Sequence, residues 1–354
     1  MLLSLLGVVV ALGAFNSVQA RRLEARYPLA GRRVEVRGGA IHVLERPASG
    51  EERAAILLIH GASGNSADLF VALSEGLSAR GFRAVSLDRP GHGFSARIGG
   101  RGAAAPVRQA DALRQAVEKL GVTEAVVVGH SLGAITALAM ALEAPAFVRA
   151  LVLIAPVSHP WNGGVAWYYR MGAHPRVGPP FRRLVTLPVG MAWMRSAVAA
   201  VFAPNTPPPD FIEATRLPLV LRPLHFLANC EDVAHAKAAV AVLSPHYGRI
   251  GAPTEIVTGD SDGVAYAHLH SAGLARQVPA ARLTTLEGVG HAPHHVAPDR
   301  IADIIVEAER RATAAATLYV PTVAMRRLLV PPTVPNGTPA TTMMRSPGPA
   351  KPSI

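Results

Sequence analysis

The chain has 354 residues, half of them hydrophobic and 17% charged, enough to bury a full core in one large domain or one domain with an insert, and too apolar for a disordered chain. A single cysteine, Cys230, excludes a disulfide framework and a Cys-rich zinc site. The net charge of +11 rests almost wholly on arginine, since only Lys119, Lys237 and Lys351 stand among 35 basic residues; much of it lies near the two ends and no nucleic-acid-binding motif accompanies it, so no nucleic-acid partner is expected.

Residues 1–20 carry no charged side chain, and Arg21-Arg22 closes the run. Twenty helical residues reach roughly 30 Å, about one bilayer core. A signal peptide would be cut near Val18-Gln19-Ala20, but the usual basic start is missing. The expectation is therefore a single N-terminal membrane anchor with the remaining chain on the cytoplasmic side, because basic residues follow the span. Export by a signal peptide is the alternative.

Beyond it, Arg33–Arg37 and Ala40–Glu45 read as a hairpin. Strands are expected at Ala54–Ile59, Arg83–Leu87, Ala125–Val128, Leu151–Ile154, Thr254–Val257 and Ala281–Leu286, and helices at Ser66–Ala79, Val107–Leu120, Leu132–Leu142 and Asp299–Arg310. Aliphatic strands alternating with helices predict an α/β fold: a mostly parallel central sheet covered on both faces. The rhythm breaks over residues 157–251, which hold Trp161, Trp167 and Trp193 and the prolines 207–209. This segment is expected to be a helical insert lying as a lid over the C-terminal ends of the strands, where open α/β sheets bind ligands. The expected layout is a core at 32–156 and 252–312, the insert between them, and a flexible Pro-rich tail at 313–354.

Five segments carry chemistry. In Leu57-Leu58-Ile59-His60-Gly61-Ala62-Ser63-Gly64-Asn65 a strand runs into a His-Gly turn, and the Ala62 N–H is placed to stabilise an oxyanion. His60 is read as shaping that turn, and Ser63 and Asn65 as helix caps, with pocket lining as the alternative. In Ser86-Leu87-Asp88-Arg89-Pro90-Gly91-His92-Gly93, Asp88 precedes the candidate nucleophile and is read as binding loop N–H groups. In Val128-Gly129-His130-Ser131-Leu132-Gly133-Ala134, Gly-x-Ser-x-Gly stands between an aliphatic strand and an Ala-rich helix. That turn lifts Ser131 out of the sheet and aims the Leu132 N–H at a developing oxyanion. The loops after two late strands then present Asp260 and Asp262, and His291 with His294 and His295 close behind. A serine hydroxyl needs a base to become a nucleophile, and an imidazole held by a carboxylate is suited to that task.

The order Ser131, acid, His291 resembles that of the α/β-hydrolase superfamily, in particular lidded bacterial serine hydrolases, over residues 32–311. The resemblance implies Ser131 as nucleophile, His291 as base, and Asp262 rather than Asp260 as acid, since the family's acid follows the glycine (here Gly259) by three positions. It places the oxyanion donors at Ala62 and Leu132. It implies an enzyme without cofactor or bound metal; the aromatic residues of the insert point to small to medium apolar esters as substrates. Serine at the turn argues against epoxide hydrolase and dehalogenase chemistry, which uses Asp there. C–C bond hydrolysis, perhydrolysis and a non-catalytic binding role stand as alternatives. Membrane association through the N-terminus is expected; the oligomeric state is not legible.

Overall fold

The protein is described by a computed structural model covering residues 2–328, with the side chains of residues 2–6, 8–10, 101 and 318–328 left out. The chain divides into a compact unit of residues 1–313 and a second unit from residue 314.

In the first unit, eight strands form one sheet in the order β1-β2-β4-β3-β5-β6-β7-β8. They are β1 (Arg32–Val36), β2 (Gly39–Arg46), β3 (Ala54–Ile59), β4 (Phe82–Leu87), β5 (Ala125–His130), β6 (Val148–Ile154), β7 (Thr254–Gly259) and β8 (Ala281–Leu286). β1 pairs antiparallel with β2, and β2 with β4; every later pairing is parallel. The sequence explains the placement. β5, Ala-Val-Val-Val-Gly-His, is buried along its whole length and sits at the middle of the sheet. β8 has no buried residue, only partly covered and exposed ones, as suits an edge strand.

Each face of the sheet has its own apolar layer. On one, Leu57, Val85 and Val127 pack against Leu113 and Val117 of α3 (Pro106–Glu118), Ile135 and Leu138 of α4 (Gly133–Glu143) and Val240. On the other, Ile56, Val126 and Val152 meet Leu69, Leu73 and Leu77 of α2 (Ala67–Ala79) and Ile301, Ile305 and Ala308 of α12 (Pro298–Leu328). Spacings of four residues in α2, and of four and three in α12, put each set on one helix stripe. Proline at the first position of α3 presets that helix start.

Between β6 and β7 the chain forms α5 (Trp167–Ala173), α6 (Gly178–Leu184), α7 (Thr186–Phe202), α8 (Phe211–Ala214), a 3₁₀ turn (Leu217–Leu221) and α9 (Pro223–Leu243). Two short helices complete the unit, α10 (Ser271–Gln277) and α11 (Pro293–Val296).

The ends differ from the sequence reading. Residues 2–26 form α1, which docks on the inserted helices: Leu23 and Tyr27 share an apolar cluster with Leu187, Met194, Val198 and Phe202. Asn16 donates to the Arg183 and Leu184 carbonyls at 2.8 and 3.0 Å, and Arg26 pairs with Glu213. Among the described residues no single helix is long and apolar enough to cross a membrane; only the bent pair α6–α7, at 66°, passes such a test. The transmembrane-helix expectation for residues 1–20 thus lacks support. At the far end, α12 continues to Leu328 rather than stopping at Arg310, which corrects the expected tail from residue 313. Ala314–Ala316 are good helix formers, and the dense proline cluster begins only at Pro331. Residues 329–354, where the rest of the expected tail falls, lie outside the described residues.

Candidate active site

Ser131 stands between β5 and α4 with φ of +51°, a left-handed conformation that L-residues adopt only under constraint. The constraint comes from its neighbours. The Ser131 N–H donates to the Ile154 carbonyl at 2.9 Å, and its own carbonyl accepts from Ala134 and Val157 at 3.1 Å each. The two flanking glycines permit the close approach. A Cβ on Gly133 would lie 2.4 Å from the His60 carbonyl oxygen, and one on Gly129 2.8 Å from the Ala134 Cα. Backbone atoms cannot yield as a flexible side chain does, so both positions must stay bare.

The loops after β7 and β8 bring two further groups to this turn. His291 Nε2 lies 2.9 Å from Ser131 Oγ, and His291 Nδ1 lies 2.8 Å from Asp262 Oδ2. The other Asp262 oxygen accepts from the Val264 and Ala265 N–H groups at 2.8 and 2.9 Å, so this carboxylate is held on both sides. All three residues are buried. Asp260, the rival acid, is exposed; it accepts from Ser261 and from the Gly288 N–H, bracing the loop. His294 and His295, the rival bases, bond to Asp68 instead. The inserted helices also grip the histidine loop: His291 N–H donates to the Val201 carbonyl of α7 at 3.2 Å, and Gly290 N–H to Asn205 Oδ1 at 2.9 Å. Sequence reading missed this tie, since nothing local to Asn205 signals it.

Among the described residues, the N–H groups of Ala62 and Leu132 have no hydrogen-bond partner within the protein. Leu132 is buried and begins α4, whose dipole places partial positive charge there. Buried N–H groups are seldom left unpaired, so the free Leu132 N–H next to the Ser131 hydroxyl is a chemical feature of this turn, and the half-buried Ala62 lines the same cavity.

The Ala62 turn rests on a buried network that the sequence did not reveal. Arg89, 1% exposed, pairs with Asp232 of α9 at 2.6 Å and donates to the carbonyls of His60 and Gly61 at 3.1 and 3.2 Å. His60 Nδ1–H donates to the Gly61 carbonyl, and its Nε2 accepts from the Arg89 N–H at 3.0 Å. Burial, and then the Arg89 charge, push its pKa down to about 4. Asp88 binds loop N–H groups as expected, accepting from Ser66 and Phe94 at 2.6 and 2.8 Å, and it also meets His42. Burial acts to raise its carboxyl, but the His42 contact outweighs it and holds the pKa at about 2. Asn65 Oδ1 accepts from the Ala67 N–H at the start of α2, as a cap does, and its amide reaches the Thr215 carbonyl of the insert. Ser63 is bound by Asn229 of α9 rather than capping a helix.

Ser131 and His291 open into a cavity of about 420 Å³. Its walls are chiefly apolar and come largely from the insert: Trp167, Phe181, Val189, Trp193, Met194 and Val198. Its floor also carries Asp68, His130, His294 and His295. Burial, and then His294 and His291, hold His130 well below the usual imidazole range. Burial would raise the Asp68 carboxyl, but His294 and His295 outweigh it and hold it well below the carboxylate range.

This sheet order, with a sharp strand–Ser–helix turn and a histidine after the last strand, defines an α/β hydrolase. A family model for the alpha/beta hydrolase fold matches residues 54–298, and the chain belongs to that family. The magnesium-chelatase 30 kDa subunit of Rhodobacter capsulatus is 31% identical over 258 residues, covering 71% of this chain and 85% of that protein. A putative lipase from Acinetobacter baumannii AYE has the same fold, with a TM-score of 0.62, 21% identity, and coverage of 85% of this chain and 97% of the other. So does a meta-cleavage product hydrolase from Pseudomonas fluorescens IP01, with a TM-score of 0.59, 19% identity, and coverage of 80% and 98%.

Proposed function

We propose that the protein is a serine hydrolase that cleaves carboxylic esters with an apolar acyl or alcohol part. The observation that carries this reading is the unbroken line from Asp262 through His291 to Ser131, ending at a large apolar cavity. His291 Nε2 takes the Ser131 proton as Oγ attacks the ester carbonyl. The Ala62 and Leu132 N–H groups receive the oxyanion, and Asp262 stabilises the imidazolium. His291 then protonates the departing alcohol, and water, deprotonated by the same ring, releases the acid. An apolar cavity of this size strips water from a hydrocarbon chain, which favours small to medium apolar substrates over polar ones at about 25 cal/mol per Å² of apolar surface covered.

The reading extends to a membrane surface. Trp167 and Trp193, both 64% exposed, line the cavity and lie with Val185 and Val189 on the inserted helices. α1 packs on those same helices, and its N-terminal sequence is apolar. We place this apolar rim against a bilayer, with α1 as the anchoring element and the enzyme on the cytoplasmic face. Exposed tryptophans suit the headgroup region.

The test is hydrolysis of p-nitrophenyl esters of graded acyl length by the wild type and by Ser131→Ala. The expected result is activity rising from acetate to medium chains, and its loss in the variant. Turnover of ketones but not esters would overturn the ester reading. Vesicle flotation checks the membrane reading: a variant lacking residues 1–10 should float less than the full chain, and equal flotation would contradict the anchor.

A further inference from the structure

His130, adjacent to Ser131, has a hydrogen-bonding problem. Its Nε2 lies 3.0 Å from the His291 carbonyl oxygen, which can only accept, so Nε2 must carry the proton. A neutral ring then leaves Nδ1 as a bare lone pair. That atom is buried and has no hydrogen-bond partner. It faces the Asp68 carboxylate, with Oδ2 at 3.8 Å, and a carboxylate too can only accept. Two lone-pair donors therefore confront each other across a gap. His294 closes the third side, its Nε2 3.4 Å from Asp68 Oδ1 and its ring centroid 4.4 Å from that of His130. One ligand atom from each of Asp68, His130 and His294 lies within 4.8 Å of the others.

We propose that Asp68, His130 and His294 form a binding site for a divalent transition-metal cation of the zinc class. Two imidazoles and a carboxylate suit Zn²⁺, Co²⁺ or Ni²⁺ rather than Ca²⁺ or Mg²⁺, which favour all-oxygen shells. Bonds of about 2.0–2.2 Å require the three side chains to draw in by under 1 Å each, within reach of small rotations. The surroundings suit the role. Gly61 leaves room beside His130, since a Cβ there would lie 3.1 Å from Nδ1. His295 donates to Asp68 Oδ1 at 2.8 Å and orients the carboxylate as an outer partner does at metal sites. His291 orients His130 through its carbonyl. All three ligands line the cavity that Ser131 also lines, so the remaining coordination position opens toward whatever occupies it. A cation here would bind a lone-pair donor of a substrate or product, such as a carboxylate or carbonyl oxygen, one residue from the reacting hydroxyl.

The test is titration of the untagged full-length protein with Co²⁺, followed by visible absorption and then displacement with Zn²⁺. The expected result is one Co²⁺ per chain, displaced by stoichiometric Zn²⁺, with affinity at least tenfold weaker in Asp68→Asn and in His294→Gln. Absence of saturable binding by the wild type, or unchanged affinity in both folded variants, would overturn the proposal. Should the variants fail to fold, ¹⁵N NMR of histidine-labelled wild type decides. Zn²⁺ must shift the His130 and His294 ring nitrogens while leaving those of His42, His60 and His225 in place; shifts confined to other histidines would overturn it. These readouts require no turnover, so they stand or fall separately from the ester reading.

Discussion

At the scale of single residues, the two carboxylates after β7 separate cleanly. Asp262 is buried and holds His291 Nδ1, whereas Asp260 is exposed and braces Gly288. Asp262→Asn is therefore expected to cost about 10⁴-fold in kcat, because the imidazole loses its orientation and the stabilisation of its charge. Asp260→Asn should stay within a few-fold of wild type; steady-state kinetics on one ester compare the two. A larger loss in Asp260→Asn would reassign the acid. Sequence alone nominated both, and only the resemblance ranked them, because spacing along a loop does not reveal which oxygen turns inward. The Ser131 turn was more legible, since an aliphatic strand, Gly-x-Ser-x-Gly and an Ala-rich helix leave little choice of local geometry. Asp68 was invisible for the opposite reason. It lies within α2 as an ordinary helix-start acid, and its meaning comes from His130, His294 and His295, which reach it from more than sixty residues away.

At the scale of elements, the site depends on close contacts between backbone segments. Gly133→Ala would press a methyl into the His60 and Ile59 carbonyls, so we expect loss of ester turnover and about 1–3 kcal/mol of stability, read by urea unfolding. Wild-type stability in that variant would contradict the packing account. The Arg89–Asp232 pair joins the Ala62 turn to α9. Asp232→Asn leaves the buried Arg89 without its anion and should cost about 3 kcal/mol. Arg89→Met should cost less, because Arg97 still pairs with Asp232 at 2.9 Å. The reverse order would show that the network is not organised around that carboxylate. The strands of the core were readable as short continuous aliphatic runs, and the helices by their 3.6-residue period. The inserted helices were readable only as a break in that rhythm: their apolar residues face α1, the cavity and one another, so no single stripe stands out.

For the whole molecule, the buried histidines set how stability depends on pH. Burial, followed by neighbouring charges, lowers His60 and His270 to about 4 and His225 to about 3 from an ordinary 6.5. Between pH 6.5 and those values the unfolded chain binds protons that the folded chain refuses, so stability is full above 6.5 and falls as pH drops through the window. Asp88, lowered to about 2, acts in the same direction from 3.8 downward. His42, raised by Asp88 against its own burial, opposes them, but it is a single group. The melting temperature should therefore fall from pH 7 to pH 5, before most carboxylates titrate; a flat profile would contradict these burial effects. Seen whole, strand ends, insert and histidine loop converge on one hydroxyl. The most direct measurement of that convergence is mass-spectrometric mapping of a fluorophosphonate adduct on the wild type, Ser131→Ala and His291→Ala. The account predicts modification of Ser131 alone in the wild type, none in Ser131→Ala, and strongly slowed labelling in His291→Ala. Folded wild-type protein left unmodified, or modified at another residue, would contradict it.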